Sequence, residues 1–412
     1  MRGLKHPGGA PVRPAGLIWR HGGLVRRASH GLSADAHPAA SESGPWARSG
    51  RAPTTHADRS RTPWRTGRLA LVCGSVTAIG MLLALVLPAV GQQKTLIVAG
   101  YGGSFEQTMR KEVFPDFEAK HGVKIEYVAG NSTDTIAKLQ AQKGNQQIDV
   151  AIVDDGPMYQ AIQLGFCGKI ADLPAANLFD AARFRNDQAV AIGLVATGLM
   201  YNTKYFADKG WAAPTSWNDL KDPKFNKLIV IPPINNTYGL YTLMMFARMN
   251  GGGERNIEPG FKVMKEAVNA NVLVYEPSPG KITELFQSSQ AVLAVWGSGR
   301  VQSFANTGFP VDFVYPKEGA VTLLASACPI DKPHASALAS EFIKALLEPS
   351  LQLVLLRDYG YGPVNKTVKV PPGLGTMAPL GERAAKLINP GWDAINANRE
   401  EWTKRWNREV ER

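Results

Sequence analysis

The side chains best placed for chemistry in this 412-residue chain are an adjacent acidic pair, a glycine-rich turn and one tryptophan. Asp154-Asp155 follows the apolar run 149–153, which predicts a strand, so both carboxylates fall where open α/β sheets bind ligands, just past a strand's carboxyl end. Such a pair can hold a cationic group, or one of the two, with Asp155 the nearer candidate, can cap a helix starting near Pro157. Gly100-Tyr101-Gly102-Gly103 follows a predicted strand at 94–99 and opens a helix at Ser104, with Gln107 completing a capping box. Phe105 stands where a dinucleotide fingerprint needs its third glycine, and phosphate-loop spacing is not met either. What remains is a close-approach turn with free N–H groups, suited to a small polar or anionic ligand group, or a tight turn with no ligand. Trp296 ends a predicted strand at 292–296 and is either core or a stacking platform, while Tyr359 and Tyr361 are either ligand phenols or loop packing, with packing favoured. Nucleophile, zinc-hydrolase and dithiol motifs (G-x-S-x-G, H-E-x-x-H, C-x-x-C) do not occur, and Gly297-Ser298-Gly299 reads only as a strand-to-helix turn. No catalytic residue, metal set or cofactor is expected.

The formal charge of +11 suggests nucleic acid until it is located. Residues 1–68 hold 12 Lys/Arg against 3 Asp/Glu, and residues 69–91 hold no charge. Residues 92–412 therefore carry 34 basic and 32 acidic side chains, a net of +2, with no charge argument for a nucleic-acid partner. The leader, 1–68, is rich in Gly, Pro, Arg and Ser and holds five of the seven histidines; it is expected to form no core, and reads either as a mis-assigned start placed too far upstream or as a disordered cytoplasmic tail. Next, 22 uncharged residues at 69–90 follow Arg59, Arg61, Arg65 and Arg68 and close on Pro88, Ala89, Val90 and Gly91. That is the layout of a signal peptide, with apolar core and cleavage site at 69–91, which predicts export to the periplasm. Left uncleaved, a run of that length would anchor the chain in the membrane. Cys167 and Cys328 can pair in an oxidising compartment or remain two buried thiols.

The elements that must position these groups alternate strand and helix, which predicts a mainly parallel sheet. Strands are expected at 94–99, 123–128, 149–153, 228–231, 272–275, 292–296 and 311–315, with a long apolar stretch at 323–330. Helices are expected from Ser104 through Phe117, broken or kinked at Pro115, and at 133–142, 237–249, 258–270, 281–288, 335–347, 350–358 and 392–410. Ser216 with Asp219 caps a further short helix.

Taken in order, several segments resemble the substrate-binding proteins of ABC importers, in the spermidine/putrescine-binding type of the extracellular solute-binding family. They are LIVAGYGGSFEQ (96–107), FEAKHGVKIEYV (117–128), IDVAIVDD (148–155), GLMYNTKYF (198–206), PTSWNDLKDPKF (214–225), VWGSG (295–299), GFPVDFVYPKEG (308–319) and DYGYGPVN (358–365). The resemblance implies a two-lobed α/β fold of the type II periplasmic binding class. Each lobe is a mainly parallel sheet with flanking helices, and hinge strands join the two. Lobe one would be 94–193 plus 326–365, and lobe two 194–325 plus 366–412. It also implies a monomer that closes on a small solute, polyamine-like or another small organic ion, and delivers it to ABC permease subunits. A secreted enzyme on the same scaffold is the alternative. Site residues implied by the turn and the matched positions are Tyr101, Gly103, Ser104, Asp154, Asn236, Thr237, Tyr238 and Trp296. Departures from the polyamine pattern are Leu323 and Ala325 in place of an acidic-aromatic signature, and Asn236 and Tyr238 in place of an acidic pair.

Overall fold

The computed structural model describes residues 94–411, so the expected leader and signal segment lie outside the described residues. Among the described residues nine strands form one curled sheet: β1 (Lys94–Tyr101), β2 (Val123–Gly130), β3 (Val150–Asp154), β4 (Val190–Asn202), β5 (Ile229–Ile231), β6 (Val272–Tyr275), β7 (Leu293–Gly297), β8 (Val311–Val314) and β9 (Val321–Pro329). Their order is β2-β1-β3-β9-β4-β7-β5-β6, with β8 on β4. Pairing of β1 with β2 and β3, and of β5 with β6 and β7, is parallel, as the strand–helix alternation predicts.

Two antiparallel strands tie the halves together. β9 pairs β3 from Val150↔Pro329 to Asp154↔Ala325, and it pairs the first part of β4 from Val190↔Ala327 to Thr197↔Val321. The second part of β4 runs on against β7 and β8. One lobe is therefore built on β2-β1-β3 and the other on β7-β5-β6, with β4 and β9 threading between them. Sequence pattern gives no separate strand at 190–202, and one reason is Gly193 beside a bulge in the β4–β9 register. A Cβ there would lie 2.3 Å from the Tyr361 ring, so close packing excludes any residue with a stronger strand preference.

The helix after β1 keeps its expected apolar stripe, with Phe105, Met109, Val113 and Phe117 all buried. Its start differs from expectation. Gly103, at φ 72°, is the N-cap, and Ser104 is the first helical residue with no capping box. The helix continues through a π turn at Met109–Val113 into Phe114–His121, with Pro115 in that last segment's first turn, where its missing N–H costs least. At the other end of the chain, Trp392–Glu409 buries Trp392, Ile395, Trp402 and Trp406 as its spacing predicts. Among the described residues no helix is long and apolar enough to cross a membrane.

Cys167 and Cys328 are joined in a disulfide across 161 residues of sequence, with Cα atoms 5.6 Å apart. It fastens the loop after helix Asp155–Gln163 to the end of β9. A closed loop of that length restricts the unfolded chain, an effect of about 2–4 kcal/mol. Urea unfolding with and without reductant should show a loss of that order. An unchanged midpoint after verified reduction would show that the bond contributes nothing.

Candidate functional site

Carboxyl ends of parallel strands face one another across the gap between the lobes. β1 delivers Tyr101 and β3 delivers Asp154, while Ser132 and Asn131 come from the start of helix Ser132–Ala141. Facing them, the loop before helix Thr237–Met249 supplies Asn235 and Asn236, the helix itself Thr237 and Tyr238, and helix Ser298–Ala305 after β7 supplies Gly299 and Arg300. Val195 of β4, Leu323 of β9, Tyr359 and Tyr361 complete the lining of a cavity of about 30 Å³. That is room for about two water molecules.

Asp154 links the two sides of this cavity. Its carboxylate accepts the Tyr101 hydroxyl at 2.7 Å and the Thr237 hydroxyl from the opposite lobe. Its own N–H donates to Ser132 Oγ at 3.0 Å. Burial, then the neighbouring Asp154, pushes the Tyr101 phenol far above its ordinary pKa, so it stays a donor. Thr237 is held at a helix start because Asn236, the N-cap, accepts the Tyr238 N–H at 3.0 Å through its side chain.

Arg300 is the cation of the site. Its guanidinium lies 5.6 Å from the centre of the Trp296 ring, which in turn is 5.3 Å from the ring of Tyr238. Burial works against its charge, but Tyr359, Tyr238, Tyr361 and Asp154 outweigh that and hold the proton more firmly than usual. No carboxylate among the described residues forms an ion pair with it. Nor does any group of three or more His, Cys, Asp or Glu among them sit close enough to hold a metal ion.

Of the residues expected at the site, Tyr101, Asp154, Asn236, Thr237 and Tyr238 line this cavity. Gly103, Ser104 and Trp296 instead line an adjoining space of about 280 Å³. Arg300 borders both spaces, and a Cβ on Gly103 would be 3.9 Å from Arg300 Nη1. Sequence reasoning passed over Arg300, although it stands in the segment VWGSGR (295–300), one helical turn past a strand end. Tyr359 and Tyr361 pack on Phe105 with ring centres 5.2 and 5.9 Å away, and they also line the cavity.

Asp155 is not the expected cap. Asp154 occupies the N-cap position of helix Asp155–Gln163, and Asp155 is its first helical residue. The Asp155 carboxylate turns inward to accept the Trp392 indole N–H at 3.0 Å, while its Oδ1 has no hydrogen-bond partner among the described residues. Nearby, the half-buried Arg399 donates to the Asn235 carbonyl at 3.2 Å, so the C-terminal helix supports a loop of the site. Burial pushes Asp155 up to about 8, with the Trp392 hydrogen bond opposing and Asp154 adding to the rise. The folded protein then holds a proton on Asp155 between about pH 4 and 8 that the unfolded chain releases, so stability falls as pH rises through that window. Unfolding free energies from urea titrations at pH 5, 6, 7 and 8 should decline by up to about 1.4 kcal/mol per pH unit more in the native protein than in Asp155→Asn. Equal slopes would place the proton elsewhere.

The family profile described as bacterial extracellular solute-binding protein matches residues 112–377, well over half of the chain. A protein of Haemophilus influenzae without an assigned activity is 28% identical over 213 residues, covering 49% of this chain; the chain spans 59% of that relative's length. An ABC transporter structure from Clostridium perfringens superposes at TM-score 0.60 with 23% identity, covering 76% of this chain and 99% of its own. The periplasmic binding protein AfuA from Actinobacillus pleuropneumoniae, solved with fructose-6-phosphate bound, superposes at TM-score 0.65 with 20% identity, covering 77% of this chain and 98% of its own. These structural likenesses establish the two-lobed fold.

Proposed function

The chain belongs to the family of bacterial extracellular solute-binding proteins, and from that premise we propose that it is the extracytoplasmic solute-binding subunit of an ABC importer, closing on a small solute that carries an anionic group and presenting it to a membrane permease. Arg300 carries the reading. A guanidinium set in a narrow cavity without an ion-paired carboxylate among the described residues is costly, and a carboxylate, phosphonate or phosphate group offers the charge and the paired acceptors that its planar fork fits. The same cation repels a polyamine, and Asn236 and Tyr238 stand where a polyamine cage has acids. The bound solute of AfuA, a sugar phosphate, belongs to the class favoured here.

The mechanism follows from which lobe supplies each group. One side offers Tyr101, Asp154, Tyr359 and Tyr361, and the other offers Arg300, Thr237, Tyr238 and Asn236. A solute larger than two waters enters only when these sides part, and its contacts to both then favour the closed form. The lobe limits belong to the same reading (94–193 with 326–365, and 194–325 with 366–412), as do export through 69–91 and a periplasmic monomer.

Thermal denaturation against carboxylates, phosphates, phosphonates and polyamines tests the reading. An anion at a hundredfold excess over its dissociation constant should add about 2.7 kcal/mol. Arg300→Gln should weaken that anion about 10- to 100-fold, the worth of charge-assisted hydrogen bonds, without altering the circular dichroism of the free protein. Stabilisation by polyamines alone, or unchanged affinity in the variant, would remove the anion from Arg300.

A further inference from the structure

We propose that the solute is a compact zwitterion, its anionic group on Arg300 and an ammonium group on Asp154. This rests on the anion-binding role of Arg300 and adds the second charge. Both residues line the same small cavity, and neither is in an ion pair among the described residues. Arg300 is flanked by phenols and an indole, and the Asp154 carboxylate oxygens are met by the hydroxyls of Tyr101 and Thr237. A hydroxyl contacts each oxygen, and a carboxyl group has about four acceptor positions, so room remains for a further donor.

Opposite charges facing one cavity attract an opposite pair. A purely anionic solute would satisfy Arg300 and bring a like charge toward Asp154, and a purely cationic one would do the reverse. A ligand carrying both charges compensates both walls and leaves the net charge of the closed cleft unchanged. The two spaces set its direction. Asp154 lines the smaller cavity and not the adjoining 280 Å³ space, whereas Arg300 borders both. The ammonium end therefore points inward and the acidic end toward the larger space. The inner cavity has little room, so the charges are separated by a short chain. Because one lobe carries Asp154 and the other Arg300, such a molecule bridges the lobes through its two ends.

Titration calorimetry of the full protein with matched pairs tests this. The zwitterions are β-alanine, 4-aminobutyrate, 5-aminopentanoate and 2-aminoethylphosphonate, and their amine-free partners are propionate, butyrate, pentanoate and ethylphosphonate. Fructose 6-phosphate serves as an amine-free anion with hydroxyl groups. At least one zwitterion should bind tenfold or more tightly than its partner, with a single best chain length. Asp154→Asn should narrow that gap to under threefold. The wild-type contrast needs no variant, so it stands even if Asp154→Asn fails to fold. Amine-free anions binding as tightly as the zwitterions, fructose 6-phosphate binding alone, or a gap that Asp154→Asn leaves intact would each overturn the ammonium assignment while the anion reading survives. No binding by any carboxylate, phosphonate or phosphate would overturn both.

Discussion

A guanidinium held in the cleft between two lobes, with aromatic neighbours and no ion-paired carboxylate among the described residues, is the constraint from which the functional account proceeds. Desolvating Arg300 is unfavourable, and the phenols of Tyr359, Tyr238 and Tyr361 with the more distant Asp154 keep it charged without neutralising it. A binding protein can use such a residue because the missing charge arrives with the solute. The contact is then worth most when the lobes are shut and water is excluded, so charge recognition and closure become one event.

Everything else positions that cation relative to the opposite wall. β4 and β9 run through both lobes and carry Val195 and Leu323 to the floor of the cavity. β3 stops at Asp154, directly opposite Ala325 of β9, so the carboxylate is fixed by the same ladder that joins the lobes. Trp392 and Arg399 of the C-terminal helix brace the cleft from behind, one on Asp155 and the other on the carbonyl of Asn235. The disulfide secures the far end of β9. A shift in any of these supports would displace a wall of the site without touching the solute.

How far the sequence reaches depends on the range of the interaction concerned. Buried parallel strands such as 149–153 and stripes such as Phe105, Met109, Val113 and Phe117 are local patterns, and they are legible. Asp154 is legible too, because a carboxylate at the end of an apolar strand sits at the edge where open α/β sheets hold ligands. Arg300 is not, since a lone arginine on a helix looks like any solvated one until Trp296, Tyr238 and Tyr359 are folded around it. β4 escapes because Gly193 answers to Tyr361, a residue 168 positions away, rather than to its own neighbours. Ser104 is misread as a cap because Gly103 adopts a positive φ that makes it the cap instead. Pairing of Cys167 with Cys328 needs the register of β9 before it can be chosen over two free thiols.

The most direct measurement is a crystal structure of the protein purified natively, without refolding, so that a solute captured during expression is retained. The account predicts carboxylate, phosphonate or phosphate oxygens of that solute within about 3 Å of the Arg300 guanidinium, between closed lobes. A solute held elsewhere on the molecule, or one seated in the cleft with its anionic group away from Arg300, would contradict it.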